Sequence, residues 1–299
     1  MKSLRDVYYL CKRNAKVYFK DPMSFFVSLI TPLILLFLFL AFLKTTYENS
    51  LISAIGEFKV SDRVVDGFTG GWLFSSVLST SCITVAFCSG TMVEDKINSA
   101  DLDLSVTPVK PIVVKFSYAI SNLICTLLVV FALLAIGLVY LAIFGFYLSF
   151  ADVLLAIVNI VLTSSFAVLL ANIVWLFVKS QGVVSGICAA LSALYGFVCG
   201  AYMPINGMGE GMKNFASLLP GTYSTILFRQ YFLSGPLEEM SKTVPQAAVD
   251  AVGQSFDVEI GFFGHNVPTY AMYLIVVVSC LVLLTVLSII TYLKSKKRR

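Results

Sequence analysis

The chain has 299 residues, 58% of them hydrophobic and only 13% charged, with a mean hydropathy of +0.89. Soluble domains run near ~45–50% apolar and ~25% charged, so a water-soluble globule, a disordered chain, a collagen, a disulfide scaffold and a coiled coil are excluded; a polytopic membrane protein remains. The net charge of +4 is too mild to require nucleic acid, and the placement of the charges matters more than their sum.

Residues 2–20 come first. Leu4, Val7, Tyr8, Cys11, Ala15 and Tyr18 follow a 3–4 spacing and form one apolar stripe, flanked by Arg5, Lys12, Arg13 and Lys16. This predicts an amphipathic helix in the headgroup layer, its basic side towards anionic lipid or a partner. Asp21-Pro22 then turns the chain into the membrane. Residues 24–43 are free of charge and long enough to cross a ~30 Å core. The run is too long for the apolar region of a signal peptide and no small-x-small cleavage site follows it, so an uncleaved first span is expected.

The second span is expected at 71–93 and is rich in hydroxyls. Ser76, Thr80, Thr84 and Cys88 recur every four residues on one stripe. The loop 94–115, EDKINSADLDLSVTPVKPIVVK, places Ile97, Ala100 and Leu104 on one helical face and Leu102 and Val106 on another. It predicts a short helix along the membrane surface, ended by Pro108 and Pro111. The alternatives are a solvated connector and a docking element that passes force from a soluble motor to the spans.

Spans three and four are expected at 116–141 and 153–178, with an interfacial turn near 144–150. Asn122, Asn159 and Asn172 are isolated polar residues there and predict hydrogen bonds between helices. The fifth span, 182–203, carries Gly182, Gly186, Ala189, Ala193, Gly196 and Gly200 on a stripe of small residues. Small residues let backbones approach closely. Spans two and five either pack within one bundle or line a cavity between two subunits, and the sequence leaves both open.

The stretch 204–269 is too long for a simple connector and too polar to cross twice. Tyr223–Leu233 reads as a helix with Ile226, Leu227 and Tyr231 on one face and Arg229 opposite. Phe215–Leu219 is a short apolar run stopped by Pro220-Gly221. Both suit a re-entrant hairpin, which is tolerated when buried in protein. Pro245–Val252, stopped by Gly253, suits a short amphipathic helix, and 270–293 is the sixth span.

Charge then orients the spans. Six Lys/Arg precede the first span and five follow the last, and an even number of spans puts both tails on one side. Lys96, Lys110, Lys115 and Lys179 fall on that side too, which is therefore the cytoplasm. No Asp, Glu, Lys, Arg or His lies in the middle of a span. Proton relays need such groups, so an outside energy source and an apolar or amphipathic cargo are expected. Six of the seven cysteines lie in apolar stretches and the single histidine, His265, has no nearby cysteine, which argues against a disulfide framework and a zinc site.

Three segments together resemble the membrane subunit of an ABC-2 type transporter, the permease class of many bacterial exporters: the basic helix before span one, the Glu94–Pro108 loop ending in TPV, and LLPGTYSTILFRQYF before span six. The resemblance covers essentially the whole chain. It implies an all-α membrane domain with six transmembrane helices, an interface (connecting) helix, a cytoplasmic coupling helix and re-entrant external helices. The coupling residues would be Glu94, Asp95, Ile97, Asp101, Leu102, Leu104, Thr107 and Pro108. Arg5, Tyr8, Lys12, Arg13 and Lys16 would belong to the interface helix. Ser76, Thr80, Thr84, Gly186, Ala189, Gly196 and Gly200 would be candidates for the substrate pathway, and Pro220, Tyr223 and Arg229 for the external gate. Where the family often has a glycine after the acidic residues of the loop, this chain has Ser99-Ala100. The importer-type Glu-Ala-Ala…Gly loop is absent, which points to export.

No Gly-x-x-x-x-Gly-Lys-[Ser/Thr] occurs, so this chain does not itself cradle ATP phosphates. The resemblance implies a separate ABC ATPase subunit carrying ATP and Mg, and a second permease copy or a related permease in a bacterial plasma membrane. The rival expectations are a secondary carrier or channel and, behind it, an intramembrane enzyme.

Overall fold

A computed structural model describes residues 2–20, 44–56, 58, 60–262 and 265–297, together with nine positions between 26 and 39. The expected first span, 24–43, lies largely outside the described residues.

The described chain is mostly helical: α1 (Lys2–Lys20), α2 (Lys44–Ile55), α3 (Asp62–Cys88), α4 (Thr91–Ile97), α5 (Ala100–Ser105), α6 (Pro111–Phe144), α7 (Phe150–Trp175), α8 (Gln181–Val198), α9 (Glu210–Ser217), α10 (Pro220–Ser241), α11 (Gln246–Ser255) and α12 (Thr269–Lys297). A two-residue antiparallel pair, Gly261–Phe262 with His265–Asn266, precedes α12. Five segments among the described residues are long and apolar enough to cross a membrane: Asp62–Ile97, Pro111–Phe144, Phe150–Trp175, Gln181–Val198 and Thr269–Lys294.

Local chemistry sets the helix starts. Ser149 and Asp152 form a reciprocal capping box at the start of α7: Asp152 N–H donates to Ser149 Oγ at 3.2 Å and Ser149 N–H to Asp152 Oδ2 at 2.9 Å. Pro111 and Pro220 both stand in the first turn of a helix, where a missing N–H costs nothing. This corrects two expectations. Pro111 opens α6 and does not close the helix before it, and Pro220-Gly221 opens α10. Gly253 likewise lies inside α11 and does not stop it.

α3 is the central post. It packs against α6, α7, α8 and α10, and it is buried along nearly its whole length. Around it the apolar side chains fall into two clusters. One surrounds its first half with Phe68, Trp72, Leu134, Ile160, Phe228 and Phe232; the other surrounds its end with Phe87, Val93, Tyr118, Val168 and Trp175. α10 crosses α3 so closely that a Cβ on Gly71 would stand 2.7 Å from the Phe232 carbonyl oxygen. α10 also packs on α7 and α12, so the segment expected to be re-entrant is seated among the spanning helices. α8 is the contrast: most of its surface is uncovered in the single chain.

Candidate functional site

The bundle carries an organised cluster of polar residues at each end of α3. At its C-terminal end α4 follows after a break at Ser89-Gly90, and α5 follows α4 through Ser99, whose φ of 59° is left-handed. The single helix expected in this loop is therefore two short ones. Ser99 performs the turn for which glycine is the unstrained residue.

Behind this segment sits Asp95, 3% exposed. Arg13 of α1 grips it with both terminal nitrogens, the Nη2–Oδ1 bond measuring 2.7 Å, and the Tyr118 hydroxyl of α6 donates to the same carboxylate. The carboxylate raises the Arg13 pKa above its ordinary value, chiefly through that hydrogen bond. Next to it, the Lys96 ammonium donates to the carbonyl oxygens of Trp175 at 2.5 Å and Val178 at 3.0 Å. Lys294 of α12 donates to Leu176 O at 2.8 Å. Two cations thus cap the C-terminal end of α7, where carbonyls lack intrahelical partners and the helix dipole is negative.

In front, the segment presents Ile97, Leu102 and Val106, the last 85% exposed. Thr107 and Pro108 are exposed beside them, with Thr107 Oγ1 donating to Leu104 O at 2.6 Å, while Glu94, Asp101 and Leu104 are half-buried. Leu104 packs onto the lower core. Asp95 and Leu104 therefore face the bundle, and the outward face is made by Ile97, Leu102, Val106, Thr107 and Pro108. Spacing alone puts Val106 on a helical face without marking it for contact, and it shows Lys96 only as a charge; a lone lysine at the end of an apolar run is the available signal.

α1 departs from its expected stripe. Cys11, Asn14 and Tyr18 form the buried side against α6, where Cys11 Sγ donates to Ser117 O at 3.4 Å. Tyr8 is exposed and does not belong to the packed stripe, and Arg13 turns inward to Asp95. Arg5, Lys12 and Lys16 remain exposed, Lys12 lying 5.9 Å from the centre of the Tyr8 ring.

At the other end of α3, Arg229 is fully buried. Its Nη1 lies 2.8 Å from Asp257 Oδ2, its Nη2 donates to Gly200 O, and its guanidinium lies 4.9 Å from the Trp72 ring centre. The same carboxylate accepts from the backbone N–H groups of Ile205 and Asn206, the latter at 2.8 Å. Tyr47 packs on Trp72 and donates to Tyr202 O at 3.0 Å. One ion pair thus ties α2, α3, α10, the end of α8 and the turn after α11 into a cap. The face that carries Arg229, opposite Ile226 and Tyr231, is as buried as the rest. Gly200, φ +76°, makes the turn that aims its carbonyl at Arg229, and Gly196 lies under the Tyr202 ring. Tyr223 is buried with its hydroxyl on Ser217 O at 2.5 Å, and Pro220 is half-buried. Asp257 and Trp72 escape the sequence analysis, because nothing in the spacing links position 257 to position 229.

Between the two ends the hydroxyl stripe is internal. Ser76, Thr80 and Thr84 are buried within one chain, and Thr80 bonds back to Ser76 O at 2.9 Å. In the single chain they are buried between α3 and the helices packed around it. Ser79 instead joins Thr225 of α10 at 2.6 Å and Tyr195 of α8 at 3.2 Å. Asn122 and Asn159 cross between helices, to Ala86 O at 2.9 Å and Ser224 O at 3.0 Å, whereas Asn172 bonds within its own helix to Val168 O. Gly186 and Ala189 lie on the uncovered face of α8, and a Cβ on Gly182 or Gly186 would meet nothing within 4 Å. No disulfide links the seven cysteines, and among the described residues no three His, Cys, Asp or Glu side chains gather as a metal set.

A family model described as ABC-2 type transporter matches residues 5–233. Neither a curated protein nor a solved structure matches the chain.

Proposed function

The chain belongs to the ABC-2 type transporter family and is an ABC transporter permease, and from that premise we propose that it is the membrane subunit of an ATP-driven exporter. A separate ABC ATPase, carrying ATP and Mg, docks on the 97–108 face and drives the bundle between two access states, each one population of a conformational equilibrium. The cargo is apolar or amphipathic, since no Asp, Glu, Lys, Arg or His lies midway along an expected span. Both termini are cytoplasmic, in the cell membrane of a bacterium. The family is generally a non-catalytic transport subunit, and nothing in this reading gives the chain chemistry of its own.

The observation that carries the reading is the build of the α4–α5 segment. It is held from behind by Asp95 and Lys96 and leaves Ile97, Leu102 and Val106 in the open. Apolar side chains left exposed at a bundle end mark a contact with a protein or a membrane surface, and on this reading the contact is the ATPase. The uncovered Gly182–Gly186–Ala189 face of α8 supports a second permease copy there. The Arg229–Asp257 cap, at the opposite end, is the external gate.

Co-purification from the native membrane tests the docking face. The wild-type chain is expected to bring an ABC ATPase with it, and a chain with Ile97→Ser, Leu102→Ser and Val106→Ser is expected to reach the membrane without one. Equal ATPase recovery with both chains would falsify the docking face, and ATP-independent flux through vesicles holding the chain alone would reject the exporter reading.

A further inference from the structure

Four lysines from four places in the chain meet at the C-terminal end of α7. Lys96 of α4 donates to Trp175 O and Val178 O, and Lys294 of α12 donates to Leu176 O between them. Lys115 of α6 and Lys179, just past α7, stand within electrostatic reach of Lys96, as Lys294 does. Of the four charged groups that act most strongly on Lys96, three are these lysines and one is a carboxylate, Asp101. The neighbouring carboxylate, Asp95, is already taken up by Arg13.

A bias towards Lys and Arg near span ends accounts for the number of these charges but not for their convergence. Like charges held together repel, and the repulsion grows where one side is spanning helix and lipid in place of water. The arrangement calls for an anion. Its surroundings say which kind. Phe177 belongs to the same turn and is 61% exposed, with Lys294 Nζ 4.2 Å from its ring centre. Beside it the end of α12 is apolar, with Ile289 and Leu293 each more than half exposed. A free phosphate would meet the ammoniums and leave that apolar surface unused. A phospholipid meets both, and basic pockets between spanning helices take such headgroups. We propose that this junction is a binding site for an anionic phospholipid. Its phosphate sits among Lys96, Lys115, Lys179 and Lys294, and its acyl chains run along Phe177 and the end of α12. The site does not depend on the ATPase or on the direction of transport.

Native mass spectrometry of the purified full chain, loaded with phosphatidylglycerol and phosphatidylcholine in equal amounts, tests this. The wild type is expected to retain phosphatidylglycerol in preference. Lys179→Gln and Lys294→Gln combined are expected to weaken that retention about 25-fold, at about fivefold for each lysine near a charged lipid surface. The same two positions changed to Arg are expected to keep it, because the charge stays. Lys179 and Lys294 are exposed, so the fold is expected to survive, which a melting curve without added lipid checks. If the paired Gln chain does not fold, Lys179→Gln alone decides, with its fivefold loss. Lys242→Gln, exposed towards the opposite end of α3, is expected to change nothing. Equal retention of the two lipids by the wild type overturns the proposal, as does wild-type retention in the Gln variants. If inorganic phosphate strips the phosphatidylglycerol where chloride of the same ionic strength does not, the ligand is a free anion and the lipid assignment fails. If the Gln variants hold lipid normally but recover less ATPase, the cluster is a protein contact and the assignment fails as well.

Discussion

Arg229 and Asp257 face each other in the buried interior of the cap at 2.8 Å, with Asp257 itself in a left-handed backbone conformation, φ 54°. The carboxylate also holds two backbone N–H groups, and the guanidinium also holds Gly200 O. Removing one partner leaves the other buried and uncompensated, which costs about 3–5 kcal/mol. Arg229→Met and Asp257→Leu are each expected to lower thermal stability in detergent by that amount. Arg229→Lys is expected to recover little, because a single ammonium lacks the fork that spans Asp257 and Gly200. A thermal-unfolding series in which Arg229→Lys matches the wild type contradicts the geometry.

Ser99 stands left-handed between α4 and α5, a conformation that costs a side-chain-bearing residue about 1–2 kcal/mol relative to glycine. Ser99→Gly is expected to stabilise the protein by about 0.5–1 kcal/mol, the gain being reduced by the greater freedom of the unfolded glycine. Ser99→Val is expected to destabilise it, since a β-branched side chain tolerates positive φ worst. The check is the order of melting temperatures, glycine above serine above valine.

The five spans found among the described residues are legible because a charge-free run of sufficient length is hard to place anywhere but across a bilayer. The helix starts at Pro111 and Pro220 are hidden for one reason: proline ends the helix before it and begins the one after it, and the sequence alone does not say which a given proline is doing. The α1 stripe fails at Tyr8 because its partner, α6, lies about a hundred residues away, and Asn14, a polar residue, occupies the buried side. Arg229 has the pattern of a solvent-facing charge on an amphipathic helix. Its burial depends on Asp257 and Trp72, and no local pattern announces a pairing across 28 residues of chain. The hydroxyl stripe of α3 is equally compatible with a pore and with a core, and its burial in the single chain comes from helices distant in sequence that no local pattern announces.

Small residues on α3 and α8 serve different ends. Gly71 lies where α10 crosses, and an added Cβ at 2.7 Å from Phe232 O forces backbone against backbone. Gly71→Ala is expected to destabilise the single chain by about 1–3 kcal/mol, the usual range for overpacking. Gly186 has open space, and Gly186→Ala is expected to leave chain stability within about 0.5 kcal/mol, as for surface changes. Parallel denaturation of the two variants checks this, and similar losses would mean that α8 is covered within the chain itself.

Orientation is open to direct labelling. Lys242, after α10, and Asp103, on α5, are both exposed and lie towards opposite ends of α3, and all seven native cysteines are buried or half-buried. A membrane-impermeant maleimide added to intact cells is expected to modify a Lys242→Cys chain and to spare Asp103→Cys. Opening the cells is expected to expose Asp103→Cys as well. The positive-inside bias rests on Lys/Arg residues near span ends, and it predicts this asymmetry and not its reverse. Labelling of Asp103→Cys in sealed cells would turn the bundle over, placing the 97–108 face out of reach of any cytoplasmic ATPase.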